Sequence, residues 1–166
     1  MRRLHGKYTL LSVSACSLLL AFILAACGSS NSTAGGSSSS PPPTVVQGYG
    51  TAHGCPSDSV VGTTSTPNVT VKPTDAKSTV MAHVGNVIAF QFPFGQRWSG
   101  PTTSQGNLQL QQPAGYAVKA AQVCVWRFVA KGIGTTQLDF HSQALCKPGQ
   151  FCPQHIVDLP FTVKVS

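Results

Sequence analysis

Val123-Cys124-Val125-Trp126-Arg127-Phe128-Val129-Ala130-Lys131-Gly132-Ile133-Gly134-Thr135-Thr136-Gln137-Leu138-Asp139-Phe140-His141 decides the fold class. Cys124, Trp126 and Phe128 recur at every second position. Beyond the glycines Thr136, Leu138 and Phe140 do the same, opposite Gln137, Asp139 and His141. A period of two is that of a strand with one face buried, and two such runs broken by Gly are two strands of one apolar-faced system.

The same pattern extends outward in both directions. Ile88, Phe90 and Phe92 share a face opposite Val87, Ala89 and Gln91, and Leu159, Phe161, Val163 and Val165 alternate with Thr162 and Lys164. Seven strands are predicted, over residues 69–72, 79–84, 87–92, 108–111, 123–130, 135–141 and 159–165. No apolar stripe of helical period and length follows the first 26 residues. Short strands with one apolar face each require a second sheet to cover them. The expectation is all-β, an immunoglobulin-like two-sheet β sandwich over residues 68–166.

The beginning of the chain is of another kind. Arg2, Arg3 and Lys7 precede an apolar run ending in Leu24-Ala25-Ala26-Cys27, the order of charge, apolar stretch and small residues that marks a secretory signal peptide. The run is too short for a spanning helix. Leu24 to Cys27 resembles the lipobox of bacterial lipoproteins. The resemblance implies cleavage before Cys27, a covalent lipid on its thiol, and a domain held at the membrane on its outer side. Two or three acyl chains make such an anchor effectively permanent. Residues 1–26 are read as the lipoprotein signal peptide and residues 27–67 as a lipidated tether and irregular lead-in. The tether is Gly/Ser-rich and ends in Pro41-Pro42-Pro43, a composition that cannot bury apolar surface.

Cleavage would alter the balance of charge. The precursor carries +7, but three basic residues leave with the signal, so the remainder is near +4. Its basic residues are scattered singly, which argues against a nucleic-acid partner. Cys16 also leaves and Cys27 takes lipid; Cys55, Cys124, Cys146 and Cys152 remain. An even number in an exported chain reads as disulfides. Cys146 and Cys152 flank the turn former Lys147-Pro148-Gly149 and form the favoured pair, which leaves Cys55 for Cys124.

Catalysis finds little material. The chain has no glutamate, and its aspartates are Asp58, Asp75, Asp139 and Asp158. Asp139 and His141 share a strand face while Ser142 points away, which is no triad, since a histidine must bridge the other two. The expectation is a protein that is not an enzyme and needs no cofactor beyond the lipid on Cys27. Gly149-Gln150-Phe151-Cys152-Pro153-Gln154-His155 resembles the copper loop of cupredoxins and implies, as an alternative, a metal on Cys152 and His155 with His53 or His83. Blue-copper sites also use a weak axial methionine, whereas the only methionines are Met1 and Met81. A third alternative is a structural surface lipoprotein with no ligand.

Residues 80–93, residues 125–138 and Phe161-Thr162-Val163-Lys164-Val165 together resemble the chagasin family, exported inhibitors of papain-like cysteine proteases with an immunoglobulin-like fold. In that family loops at one end of the sandwich wedge into the protease cleft. The first carries an Asn-Pro-Thr-Thr-Gly pattern followed by an aromatic, the last Arg-Pro-Trp. Here the first reads Phe94-Gly95-Gln96-Arg97-Trp98-Ser99-Gly100, with Trp98 in the place of the aromatic. The last contains Lys147-Pro148 where the family has Arg-Pro. With Tyr116 from a third loop, Arg97, Trp98, Lys147 and Pro148 are the expected partner-binding residues, since aromatic and arginine side chains on rigid loops commonly anchor binding surfaces.

Overall fold

The computed structural model describes residues 48–62 and 64–166. The expected signal peptide, Cys27 and most of the expected tether lie outside the described residues. Among the described residues eight strands follow one short α-helix, α1 (Tyr49–Ala52): β1 (Val69–Val71), β2 (Thr79–Ala82), β3 (Val87–Pro93), β4 (Gln96–Ser99), β5 (Leu108–Val118), β6 (Val123–Ala130), β7 (Gly134–Ala144) and β8 (Ile156–Val165), with one 3-10 turn at Pro73–Asp75. They form two four-stranded sheets, ordered β1-β3-β6-β5 and β2-β8-β7-β4. This is an all-β, two-sheet sandwich. The grouping matches the immunoglobulin arrangement, first, second, fifth and fourth strands in one sheet and third, sixth and seventh in the other, with β2 added beside the last strand. Among the described residues no helix is long and apolar enough to cross a membrane.

The alternating residues meet where the pattern requires. Phe90, Phe92, Trp126 and Phe128 from one sheet face Phe140 and Phe161 from the other, all fully buried. Phe140 stands at the junction, with ring centroids 5.0 Å from Phe90, 4.8 Å from Phe92 and 5.2 Å from Trp126. Offset and edge-on contacts of this kind add to the area term.

Several features depart from the sequence expectation, including β7, which runs on to Ala144, and β8, which begins at Ile156. β4 is an eighth strand where a loop was expected, pairing with β7 from Gln96 opposite Ala144 to Ser99 opposite His141. β5 does not stop at Gln111 but continues through Pro113 to Val118, and its register shifts between Gln111 and Tyr116. Proline lacks the ladder donor and is accommodated at an edge or bulge. β2 ends at Ala82 and β1 at Val71, each short of the predicted end.

The segment before Asn68 is not only a lead-in. Residues 59–61 run beside the end of β5, with Val61 N donating to Ala117 O and Ala117 N to Ser59 O. Gly54 lies against β4, its carbonyl accepting from Trp98 N at 2.7 Å. Two edge strands therefore have backbone groups covered by the chain's own N-terminal side, a protection against edge-to-edge association. Gly54 makes this approach possible. Its φ is +94°, and a Cβ there would lie 1.9 Å from the Gln96 carbonyl oxygen. Gly54→Ala is expected to cost roughly 2 to 3 kcal/mol from strain and the forced retreat of β4. Urea denaturation would measure it, and amide exchange at Trp98 should rise in the same variant.

Candidate functional site

Three connections converge at one end of the sandwich. Phe94 and Gly95 turn β3 into β4, residues 119–122 join β5 to β6, and residues 145–155 join β7 to β8. The first two are tied by Phe94 N donating to Gln122 O at 3.0 Å, and Gly95 N donates to His53 O at 3.3 Å. α1 sits on this end. His53 stacks on Phe94 at 4.7 Å between ring centroids, and Lys119 places its ammonium 4.2 Å from the centre of the Tyr49 ring. The β3–β4 turn is therefore short and partly covered, unlike the wedge loop that the family resemblance implies.

The β7–β8 loop is open by comparison. Lys147-Pro148-Gly149-Gln150 forms a turn closed by Gln150 N donating to Lys147 O at 3.2 Å. Gly149 has φ +80°, the positive value required at the third position of a type II turn, and Pro148 supplies the fixed φ before it. Cys146 and Cys152 are joined by a disulfide across this turn, with their Cα atoms 5.6 Å apart. Phe151, next to the bond, is 96% exposed, and Leu145, Ile156 and Val157 at the loop's base are also exposed. Between this loop, β4 and the Gly54 segment runs a groove of about 800 Å³, lined by Arg97, Trp98, Ala144, Cys146, Cys152 and Ile156.

The expected partner-binding residues separate into two groups. Arg97, Lys147 and Pro148 are exposed, and Arg97 borders the groove. Trp98 and Tyr116 are not contact anchors, each being only 4% exposed. Trp98 stacks on Phe92 at 4.6 Å, and its ring Nε1 donates to Pro93 O at 2.7 Å. It fills the place of the buried tryptophan that immunoglobulin domains carry on their third strand. Tyr116 lies within β5, opposite Val125, rather than in a loop. It packs with Ala89 and Val125 on the outer face of its sheet, against Val61 of the N-terminal segment.

The second disulfide joins Cys55 to Cys124. Cys152 is thus bonded to Cys146, so its sulfur is no thiolate for the cupredoxin-like alternative. His53 is engaged with Phe94, and His83 Nδ1 lies 3.2 Å from Ser166 Oγ. Among the described residues no three His, Cys, Asp or Glu side chains gather to hold a metal. His141 Nδ1 meets Asp158 Oδ1 at 2.7 Å, on the exposed side of β7 and β8, not Asp139. Ser142 is buried on the opposite face. Phe151 was not among the expected residues; its place beside a disulfide-closed Pro-Gly turn was the available signal.

These features define a disulfide-braced β-sandwich domain with one apolar-tipped loop end. No family model matches the chain, and no curated protein matches it. Among solved structures, the crystal structure of the cysteine protease inhibitor EhICP2 from Entamoeba histolytica is similar to 59% of this chain and 94% of that one, with a TM-score of 0.42 and 15% identity. The solution structure of amebosin covers 61% of this chain and 100% of its own, with a TM-score of 0.39 and 12% identity.

Proposed function

We propose that the chain is a lipid-anchored, non-enzymatic display protein, fixed to the outer side of the cell membrane through Cys27, whose β7–β8 loop binds a protein partner. The observation that carries this reading is Phe151, an almost fully exposed aromatic on a loop closed by the Cys146–Cys152 bond. An ordered loop loses less entropy on binding than a free one, and an aromatic is among the commonest hot-spot side chains. The sequence resemblance to chagasin-type inhibitors makes a papain-like cysteine protease the favoured partner. With the β3–β4 turn short, the last loop and the Arg97 rim of the groove would carry the contact.

Inhibition of papain by the purified protein tests the partner directly. Inhibition at micromolar concentration or below is expected, competitive with a peptide substrate. No inhibition at that concentration removes the protease reading and leaves the display role. The anchor has its own measurement. Labelled fatty acid should enter the wild-type chain in its host and be absent from Cys27→Ala.

A further inference from the structure

β4 covers only part of the β7 edge. It pairs with residues 141–144 of β7 and ends at Ser99, opposite His141. β7 itself reaches back to Gly134, and β8 accompanies it on the other side from Gly134 to Gln143. Between Gly134 and Phe140 the side that β4 has left carries no strand among the described residues.

Two bonds fix which backbone groups face that open side. Within a strand a residue's N–H and C=O point to one side and those of the next residue to the other. Trp98 N donates to Gly54 O, away from β7, so Arg97 and Ser99 are the residues that turn toward Gln143 and His141. On the far side of β7, Pro160 O accepts from Lys77 N, toward β2, and proline has no N–H to give. Asp139, opposite Pro160, therefore turns its own groups away from β8. Both lines of argument give the same alternation. Thr136, Leu138 and Phe140 bond to β8, while Gln137 and Asp139 present N–H and C=O to the open side. No backbone group among the described residues meets them there.

A cleft of about 310 Å³ lies along this edge, with Gln137, Asp139 and His141 on one wall and Ser99, Pro101 and Gln105 on the other. The Asp139 side chain is exposed and, unlike Asp158, has no cation paired with it among the described residues. Donor and acceptor pairs that recur every second residue, roughly 6.8 Å apart, match the spacing of an extended backbone. The loop that follows β4 opens with Pro101, which has no N–H to offer them.

We propose that this cleft binds an extended peptide segment of another protein, added to β7 as a strand in line with β4 and carrying a lysine or arginine opposite Asp139. Strand addition takes its affinity from main-chain bonds and its selectivity from alternate side chains. Antiparallel to β7, the peptide exchanges two hydrogen bonds with Asp139 and two with Gln137. The peptide residue opposite Asp139 shares its solvent face, where a pair of opposite charges is favourable. The next residue points inward beside Gly100, where even a Cβ on that glycine would lie 2.4 Å from the Phe140 ring, so it must be small. The site stands apart from the β7–β8 loop and does not depend on the protease reading.

The test uses the full chain, nitrogen-15 labelled and kept in mild detergent. Before any peptide is added, amide exchange should be fast at Gln137 and Asp139 and slow at Leu138 and Phe140. Slow exchange at all four would mean that the edge is covered and would overturn the proposal. The probe is the peptide Thr-Lys-Ala-Thr-Val, acetylated and amidated at its ends. It should shift the Gln137 and Asp139 amide signals saturably, slow their exchange, and leave the Gln150 signal in the β7–β8 loop unmoved. The same peptide methylated on its lysine backbone nitrogen should not bind, because it has lost the donor for Asp139 O. Glutamate in place of the lysine should weaken binding about tenfold, and Asp139→Asn should remove that discrimination. Gln137→Pro deletes one edge donor without touching the β8 ladder and should abolish binding; if it fails to fold, the methylated peptide on the wild-type chain carries the comparison. Equal binding of the methylated peptide, equal affinity for the lysine and glutamate peptides, or shifts confined to the β7–β8 loop would each overturn the proposal. Shifts of Gln137 and Asp139 that grow with protein concentration and ignore the peptide would overturn it too, by assigning the edge to a second copy of the chain.

Discussion

Replacing both Cys55 and Cys124 by alanine is expected to lower the stability of the protein by about 4 kcal/mol, the chain-entropy value for a loop near 70 residues. The bond spans a sequence separation of 69 and both residues are buried. It links the N-terminal segment to β6, the strand shared between β3 and β5. For a domain near 120 residues, that loss lowers the melting temperature by roughly 15 to 20 °C. Calorimetry of the double variant measures it. A fall of only a few degrees would mean that the N-terminal segment is held by its packing alone.

The other disulfide should behave differently. The Cys146–Cys152 loop has a separation of six, for which the same relation gives about 2 kcal/mol, most of it felt in an exposed loop outside the core. Mild reductant should reach it first, since Cys152 is exposed while Cys124 is fully buried. Alkylation after brief reduction is therefore expected to label Cys146 and Cys152 before Cys55 and Cys124. The two bonds divide the work: one stabilises the domain and the other shapes its loop.

The parts of the fold that were legible in the sequence are those where one strand carries its own repeated signal. Trp126 with Phe128, Leu138 with Phe140, and Phe161 with Val163 and Val165 each place two or more apolar side chains on one face, enough to fix the inward side without knowing the neighbours. β4 carries no such repeat. Of Gln96-Arg97-Trp98-Ser99 only Trp98 is apolar, and the glycines at 95 and 100 read as loop, so a core tryptophan looked like an exposed anchor. Only pairing with β7 shows which way it points.

The place of Tyr116 is hidden from the sequence for a related reason. Pro113 and Gly115 in the sequence suggest a chain break, whereas β5 absorbs them in a register shift and continues. The outer face that Tyr116 joins was unreadable because its other half, Val61, sits in a segment rich in Gly, Ser and Thr. Such composition marks a tether when no partner is known. Here residues 59–61 borrow their order from β5, a tertiary effect that local pattern does not encode. The neutral partners of Arg127, Gln111 and Ser65, are hidden in the same way: only the fold brings those two residues to the guanidinium.

Phe151→Ala is expected to separate binding from folding. The side chain is almost wholly in water, so its removal should change stability by no more than about 0.5 kcal/mol. If it inserts into a partner's pocket, the lost contact is worth about 2 to 4 kcal/mol, the range of a central aromatic hot spot. Affinity should then fall by roughly 30- to 1000-fold. Trp98→Ala is the counterpart. It removes a buried ring stacked on Phe92 and should cost about 3 to 5 kcal/mol of stability, weakening binding only as the folded population falls. Surface plasmon resonance against papain, with melting curves on the same samples, distinguishes the two. Equal affinity for wild type and Phe151→Ala would move the contact off the loop tip, toward the Arg97 side of the groove. An intermediate loss in Cys146→Ser/Cys152→Ser, with Phe151 intact, would show that the disulfide contributes by ordering the loop and the ring by making the contact.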